Sequence, residues 1–285
     1  VATKVLNDDF KDHPDAFIAL QQEAVKSQKL SHPNIVTVHD VGQDDEGPYI
    51  IMEMLKGKTL EAVVERAPLP LEDFEKFATQ ALEGMIAAQS VDIIHRDLKP
   101  ANIMVVWLPG GDFQVKILDF GLAKFSRSPS SQTMDHSDSI LGSIFFMAPE
   151  QFEHLPLDGR TDLYSIGAIF YYCLAGQYPF TGEHATQVMA AHLMHRFTPL
   201  HELRPDLPDR ICAWVESLMA RDMDDRPDSA QATLDALKLE PAINEKQLRE
   251  AASNDQSLAV DLLAAFRDET ATLLIQLNNE LAAGE

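Results

Sequence analysis

The chain has 285 residues and a mass of 31.7 kDa, enough for one large or two modest domains. Apolar residues at 45% and charged residues at 24% lie inside the globular range, which excludes a chain disordered throughout, a collagen-like chain or a membrane-embedded one. Its 23 basic and 45 acidic side chains leave a formal charge of −22, which disfavours non-specific binding to nucleic acid or anionic lipid.

The first few residues read as the remnant of a β-strand, and Phe17, Leu20 and Ala24 predict a helix over 14–30 that Ser31-His32-Pro33 stops. Apolar, β-branched runs at 35–41 and 48–54 flank an acidic turn at 43–47 and predict an antiparallel pair. From Leu71 onward, Phe74, Phe77, Ala81, Met85 and Ala88 recur every three or four residues, the mark of a long helix with one buried stripe. Helices then dominate, interrupted by short strands at 103–106 and 115–118 across Pro109-Gly110-Gly111, and by a serine-rich stretch at 126–139 expected to be mobile. The most apolar run, 166–175, is too short to span a bilayer. Cys173 and Cys212 lack metal-ligand spacing and read as reduced thiols in a cytoplasmic protein. Beyond Pro241, Leu262, Phe266, Leu273, Leu277 and Leu281 share one face of an acidic helical extension, 240–285, expected to pack on the rest of the chain or to self-associate.

The chemistry-bearing strings are His95-Arg96-Asp97-Leu98-Lys99-Pro100-Ala101-Asn102, then Asp119-Phe120-Gly121, then Ala148-Pro149-Glu150. Any one arises by chance; the three in this order and spacing do not. Over residues 1–239 the sequence resembles the catalytic domain of a eukaryotic-like serine/threonine protein kinase, and its APEQ segment and Pro179-Phe180-Thr181-Gly182 turn resemble the bacterial branch. The resemblance implies an α+β, two-lobed fold with an N-lobe over 1–55 and a mostly helical C-lobe over 56–239. It implies transfer of the γ-phosphoryl group of ATP to Ser or Thr hydroxyls of protein substrates, with Mg²⁺.

The residue types suit that reaction, which asks for charge neutralisation and positioning more than covalent help. Asp97 is placed to accept the hydroxyl proton, Lys99 to hold the γ-phosphate, and Asn102 and Asp119 to offer oxygen ligands to a hard cation. By resemblance, Lys4 grips the α- and β-phosphates with Glu23 as its ion-pair partner. Met52, Glu53 and Leu55 form the hinge between lobes, where the backbone of Glu53 and Leu55 meets the adenine edge, and Ala2 and Met104 sandwich the ring. Arg96 is expected to pair with phosphate placed on Thr133, Ser137 or Ser139 of the activation segment. Ser143 stands where the family more often has Thr, and keeps the hydroxyl. Glu150 and Arg226 match a buried structural ion pair, Asp162 is expected to cap a helix over 163–175 and brace the catalytic loop, and His95 is expected to pack inside. His192 and His195 are three apart without a third ligand nearby, so no metal role is assigned to them.

The resemblance fails at both ends. No Gly-rich phosphate-covering loop precedes Lys4, and the chain opens at Val1 rather than Met. It is therefore expected to be either a fragment or a truncated homologue that binds nucleotide poorly; the intact Asp97, Asn102 and Asp119 favour the fragment, with weak or no activity expected in isolation. Two rivals stand beside the kinase reading: a scaffold that binds nucleotide without turnover, and a small-molecule phosphotransferase of the same fold, against which Lys99 and the Ala148-Pro149-Glu150 segment count.

Overall fold

A computed structural model describes residues 1–5, 30–44, 47–120 and 142–239. The predicted helix before Leu30, Glu23, Gly121, Thr133, Ser137, Ser139 and the extension beyond 239 lie outside the described residues. The chain divides into two compact units, Val1–Leu237 and Lys238–Glu285, and the first carries everything below.

Strands β1 (Ala2–Val5), β2 (Val38–Asp44) and β3 (Gly47–Met52) form an antiparallel sheet in the order β1-β3-β2. Its register pairs Ala2 with Met52 and Lys4 with Ile50. The predicted hairpin is present but shifted: its first strand begins at Val38, because Ile35 and Val36 are engaged elsewhere. Ile35 bridges Ile117 in parallel and the Val36 N–H donates to the Ile117 carbonyl at 2.9 Å. Gln43 and Asp44, read as turn, continue the strand.

A second sheet, β4 (Lys58–Thr59), β5 (Ile103–Trp107) and β6 (Phe113–Ile117), is antiparallel in chain order. The β5–β6 register pairs Ile103 with Ile117. Residues just before β5 and just after β6 therefore meet at one end of the hairpin, which is what brings Asn102 and Asp119 together.

The helices are α1 (Leu60–Val64), α2 (Leu71–Gln89), α3 (Pro149–Phe152), α4 (Gly159–Ala175), α5 (Ala185–Leu193), α6 (Leu200–Leu203), α7 (Asp209–Leu218) and α8 (Ala230–Lys238). The stripe predicted on α2 is buried: Phe74, Phe77, Ala81, Met85 and Ala88 all face the core. Helix α4 is buried on every side from Thr161 to Leu174, as a helix apolar all round must be. Phe170 of α4 stacks on Trp214 of α7 at 5.3 Å and meets Phe74 and Phe77 of α2 edge-on. A Cβ on Gly167 would lie 2.6 Å from Leu218 Cβ, so glycine is what lets α4 and α7 approach this closely. Gly176, at φ +70°, ends α4 in a left-handed cap.

The start of α4 corrects a sequence expectation. The helix begins at Gly159 and its N-cap is Asp158, which accepts the Arg160 N–H. Asp162 lies inside the first turn, where it does not cap the helix; its carboxylate is turned toward the loop carrying Asp97.

Helix α3 is held down by Glu150. Its two carboxylate oxygens accept from both terminal nitrogens of Arg226 at 2.8 and 2.9 Å, and both residues are buried. The remaining guanidinium N–H groups go to the carbonyls of Ala220, Arg160 and Arg221, and the Tyr164 ring lies 4.8 Å below. Burial pushes the Glu150 carboxyl up, but Arg226 outweighs it and holds the group below its ordinary value. Breaking such a pair strands a buried charge, so Arg226→Met is expected to cost about 3–5 kcal/mol in urea denaturation. A carboxyl depressed in the folded state stabilises above its unfolded pKa, about 4.3, and loses that contribution as pH falls through the folded value. Acid unfolding of Glu150→Gln, followed by circular dichroism, is expected to depend less steeply on pH than wild type below that value.

Candidate active site

The site is built around a loop that buried groups hold from behind. Asp162, from the first turn of α4, accepts the His95 N–H at 2.7 Å and the Arg96 N–H at 2.9 Å. Burial raises the pKa of this carboxyl, and the His95 imidazole and the two N–H bonds offset that only in part. Arg96 takes φ +69°, a conformation that non-glycine residues hold only where the surroundings impose it. Gln151 adds a third tether, donating its side-chain amide to the Arg96 carbonyl at 2.8 Å.

His95 is fully buried, as expected, and links two halves of the site. Its Nδ1 accepts the Asp97 N–H at 3.3 Å, which leaves the proton on Nε2 to donate to the Leu118 carbonyl at 2.7 Å. Its ring also meets Phe120 edge-on at 4.9 Å. The loop is thereby tied to the residues on either side of Asp119, which itself sits at φ +60°.

On the open side, Lys99 Nζ lies 3.1 Å from Asp97 Oδ2 and donates to Ser143 Oγ at 2.7 Å. Asn102, closing the 3₁₀ turn Pro100–Asn102, donates its amide to the Asp97 carbonyl at 2.8 Å and to Asp97 Oδ2 at 3.3 Å. That arrangement leaves Asn102 Oδ1 as an acceptor direction that no described residue uses. The Leu118 N–H donates to the Asn102 carbonyl at 2.9 Å, consistent with the β5–β6 register. Lys4, reaching across from β1, donates to Asp119 Oδ2. The contacts form two sets, Asp97 with Lys99, Asn102 and Ser143, and Lys4 with Asp119, and the backbone bond from Leu118 to Asn102 sets them side by side.

Ala2, Leu55 and Leu118 pack against Val36, Ile50 and Met52 in a small apolar cluster at this site. Met104, expected opposite Ala2, lies on β5 across from Thr59 and Lys116 and is not a member of that cluster. Glu53 is more engaged than its sequence position suggested. Its N–H donates to the Thr37 carbonyl at 3.0 Å, and its carboxylate accepts from the Thr37 N–H at 2.8 Å and from Lys116 Nζ at 2.6 Å. Burial pushes this carboxyl up, while the bonds from Lys116 and Thr37 bring it below its ordinary value. Lys116, on β6, also donates to the Ile35 carbonyl, so Glu53 is stapled to the strand that leads to Asp119.

Sequence reasoning missed Lys116, Gln151 and Asp158. Gln151 stood in plain view after Ala148-Pro149-Glu150, but nothing in the string says that it reaches Arg96. Lys116 looked like the polar alternate of a strand, and its pairing depends on a residue 63 positions away.

The oxygen donors present suit a hard divalent cation: a side-chain amide and one carboxylate, with no cluster of three acidic, His or Cys ligands among the described residues. Mg²⁺ is commonly held by one or two carboxylates together with substrate phosphates, and this donor set fits that case.

The chain belongs to the protein kinase domain family, whose profile matches residues 1–236. It is 34% identical over 247 residues to a probable serine/threonine-protein kinase of Clostridium perfringens, covering 85% of this chain and 35% of that protein. It is 30% identical over 232 residues to the serine/threonine-protein kinase PrkC of Bacillus subtilis, covering 81% of this chain and 35% of the relative. The chain thus spans about a third of the length of these relatives. The crystal structure of the Mycobacterium tuberculosis PknI kinase domain superposes with a TM-score of 0.63 at 24% identity, covering 82% of this chain and 83% of that one, and it bears out the kinase fold.

If Lys116 and Glu53 act as a unit, the cycle of Lys116→Met, Glu53→Gln and the double variant will show coupling of about 1 kcal/mol or more in urea denaturation, since the pair is only partly screened by solvent. Strictly additive single effects would contradict the staple.

Proposed function

We propose that residues 1–239 are the catalytic domain of a serine/threonine protein kinase that transfers the γ-phosphoryl group of ATP to protein hydroxyls. The observation that carries this reading is Lys99 lying between Asp97 and Ser143, with Asn102 bonded to the same carboxylate and Lys4 meeting Asp119. In this reading Asp97 receives the proton of the attacking hydroxyl. Lys99 is within reach of Asp97 Oδ2 and can hold the transferring group against it. Asn102 positions Asp97 through its amide and, with Asp119, would hold Mg²⁺, which when bound supplies charge neutralisation over the phosphates. Lys4 reads as the cation for the α- and β-phosphates; Glu23, its expected partner, lies outside the described residues.

The apolar cluster of Ala2, Met52 and Leu55 supports an adenine site, with the Glu53 carbonyl left for recognition because its N–H is already used. Arg96 Nε is buried and has no partner among the described residues, which supports its reading as the receptor for a phosphate on Thr133, Ser137 or Ser139. Among the described residues no helix is long and apolar enough to cross a membrane. Two buried, unpaired thiols, Cys173 and Cys212, support a cytoplasmic setting. The acidic extension 240–285 remains the candidate element for self-association.

Removing one such electrostatic group is expected to lower transfer by about 10²- to 10³-fold. Labelled phosphate incorporated into protein Ser or Thr by the intact protein is expected to fall by that factor in Asp97→Asn and in Lys4→Met. Undiminished incorporation in either would contradict the assignment, and Mg-ATP binding without any incorporation by wild type would favour the scaffold reading.

A further inference from the structure

The end of the β5–β6 hairpin remote from Asn102 and Asp119 carries a surface that phosphoryl transfer does not use. Side chains alternate along a strand, so Ile103, Val105 and Trp107 share one face of β5. Ile103 and Val105 are buried in the core, whereas Trp107 keeps 49% of its surface exposed and Leu108, beside it, 42%. Trp107 pairs with Phe113 of β6, which packs on the same core. The buried face of this sheet therefore runs out into solvent at an indole, the largest side chain it has to cover.

Two lysines lie along the same strand. The β4–β5 register pairs Lys58 with Val105 and Thr59 with Met104, and carried back two residues it sets Lys56 opposite Trp107. Gly57 shows that the chain keeps this course: a Cβ there would lie 2.3 Å from the Val105 carbonyl oxygen and 3.1 Å from the Val106 side chain. Residues opposite one another across an antiparallel pair share a face, so Lys56 and Lys58 flank the uncovered indole. Among the other described lysines of Val1–Leu237, Lys4, Lys76, Lys99 and Lys116 each meet a carboxylate. Lys56 and Lys58 form no ion pair with any described residue, in a chain with 45 acidic side chains to 23 basic ones.

The complement of two uncompensated ammonium groups beside an open indole is an acidic segment with an apolar side chain. We propose that Lys56, Lys58, Trp107 and Leu108 form a docking site for an extended acidic segment of a partner protein. Carboxylates at alternate positions of an extended chain stand about 7 Å apart on one side, which is also the spacing of Lys56 and Lys58, and a neighbouring apolar residue covers the indole. A long polyanion such as nucleic acid or an anionic membrane meets the field of the whole chain, whose charge of −22 repels it, while a short segment feels chiefly its local contacts. Trp107 is five residues along β5 from Asn102, about 17 Å, so a docked segment leaves the transfer site open. The docking site goes beyond the kinase reading and does not depend on it.

The protein carries its own reporter. It has two tryptophans, and Trp214 is buried with its Nε1–H donated to the Thr233 carbonyl at 3.0 Å, so a shift of indole emission on titration comes from Trp107. A short labelled peptide in which glutamate alternates with threonine around one leucine is titrated with the full chain and followed by fluorescence anisotropy, against the same peptide with glutamine for glutamate. The glutamate peptide is expected to bind roughly 2- to 30-fold tighter, the span of two exposed ion pairs, and to move the indole emission to shorter wavelength. Its advantage is expected to vanish in Lys56→Gln/Lys58→Gln, a pair of surface changes, and its affinity to fall in Trp107→Ala. Equal affinity for the two peptides, or binding of neither, would overturn the docking site. An advantage that survives the lysine substitutions, or binding that leaves the emission unmoved, would overturn its location. Tighter binding of oligothymidylate or of phosphatidylserine vesicles than of the glutamate peptide would overturn the protein segment as occupant. No ATP enters these titrations, so their outcome is separate from that of the transfer assay.

Discussion

The site depends on one buried carboxylate. Asp162 receives the amide hydrogens of His95 and Arg96 from inside the molecule, and so fixes the backbone from which Asp97, Lys99 and Asn102 project. The cost is visible: the group is desolvated, and Arg96 is held in a conformation that few side chains adopt. What it secures is carried onward by His95, whose ring passes the position of this loop to the Leu118 carbonyl and thereby to Asp119. Two hydrogen bonds thus tie the loop to α4 and a third ties it to the residue before Asp119, in a region rigid enough to hold them because α4 is surrounded by packed side chains.

Electrostatics at the site are local. A chain with a net charge of −22 is a poor long-range attractor for a polyphosphate, yet exposed charges beyond about 8 Å are largely screened at physiological salt. Lys4 and Lys99 each meet a carboxylate of the site, so the cleft is close to balanced before any ligand enters. In the proposed function, the lysines are held where phosphates would exchange for those carboxylate contacts.

Much of this was legible in the chain. The stripe on α2 and the hairpin that joins Asn102 to Asp119 follow from periodicity and turn residues, because period and burial coincide there. The three strings marked the family because the chemistry demands particular side chains at short spacing, and short spacing survives in one dimension. Contacts set by tertiary approach were not legible. Asp162 looked like a cap, since an acidic residue at a helix start usually caps; Asp158, four residues earlier, holds that place, and burial redirected Asp162 to the loop. The Lys116–Glu53 staple joins residues whose separation carries no periodic signal.

The claim that a carboxylate within α4 holds the loop of Asp97 is tested most directly by amide hydrogen exchange at His95 and Arg96, read residue by residue in wild type and in Asp162→Ala. The account predicts that both amides are protected in wild type to the level of the α4 core, and that the substitution releases these two while leaving α4 itself protected. Exchange of the two amides at the rate of an exposed loop in wild type, or protection unchanged by the loss of Asp162, would contradict it.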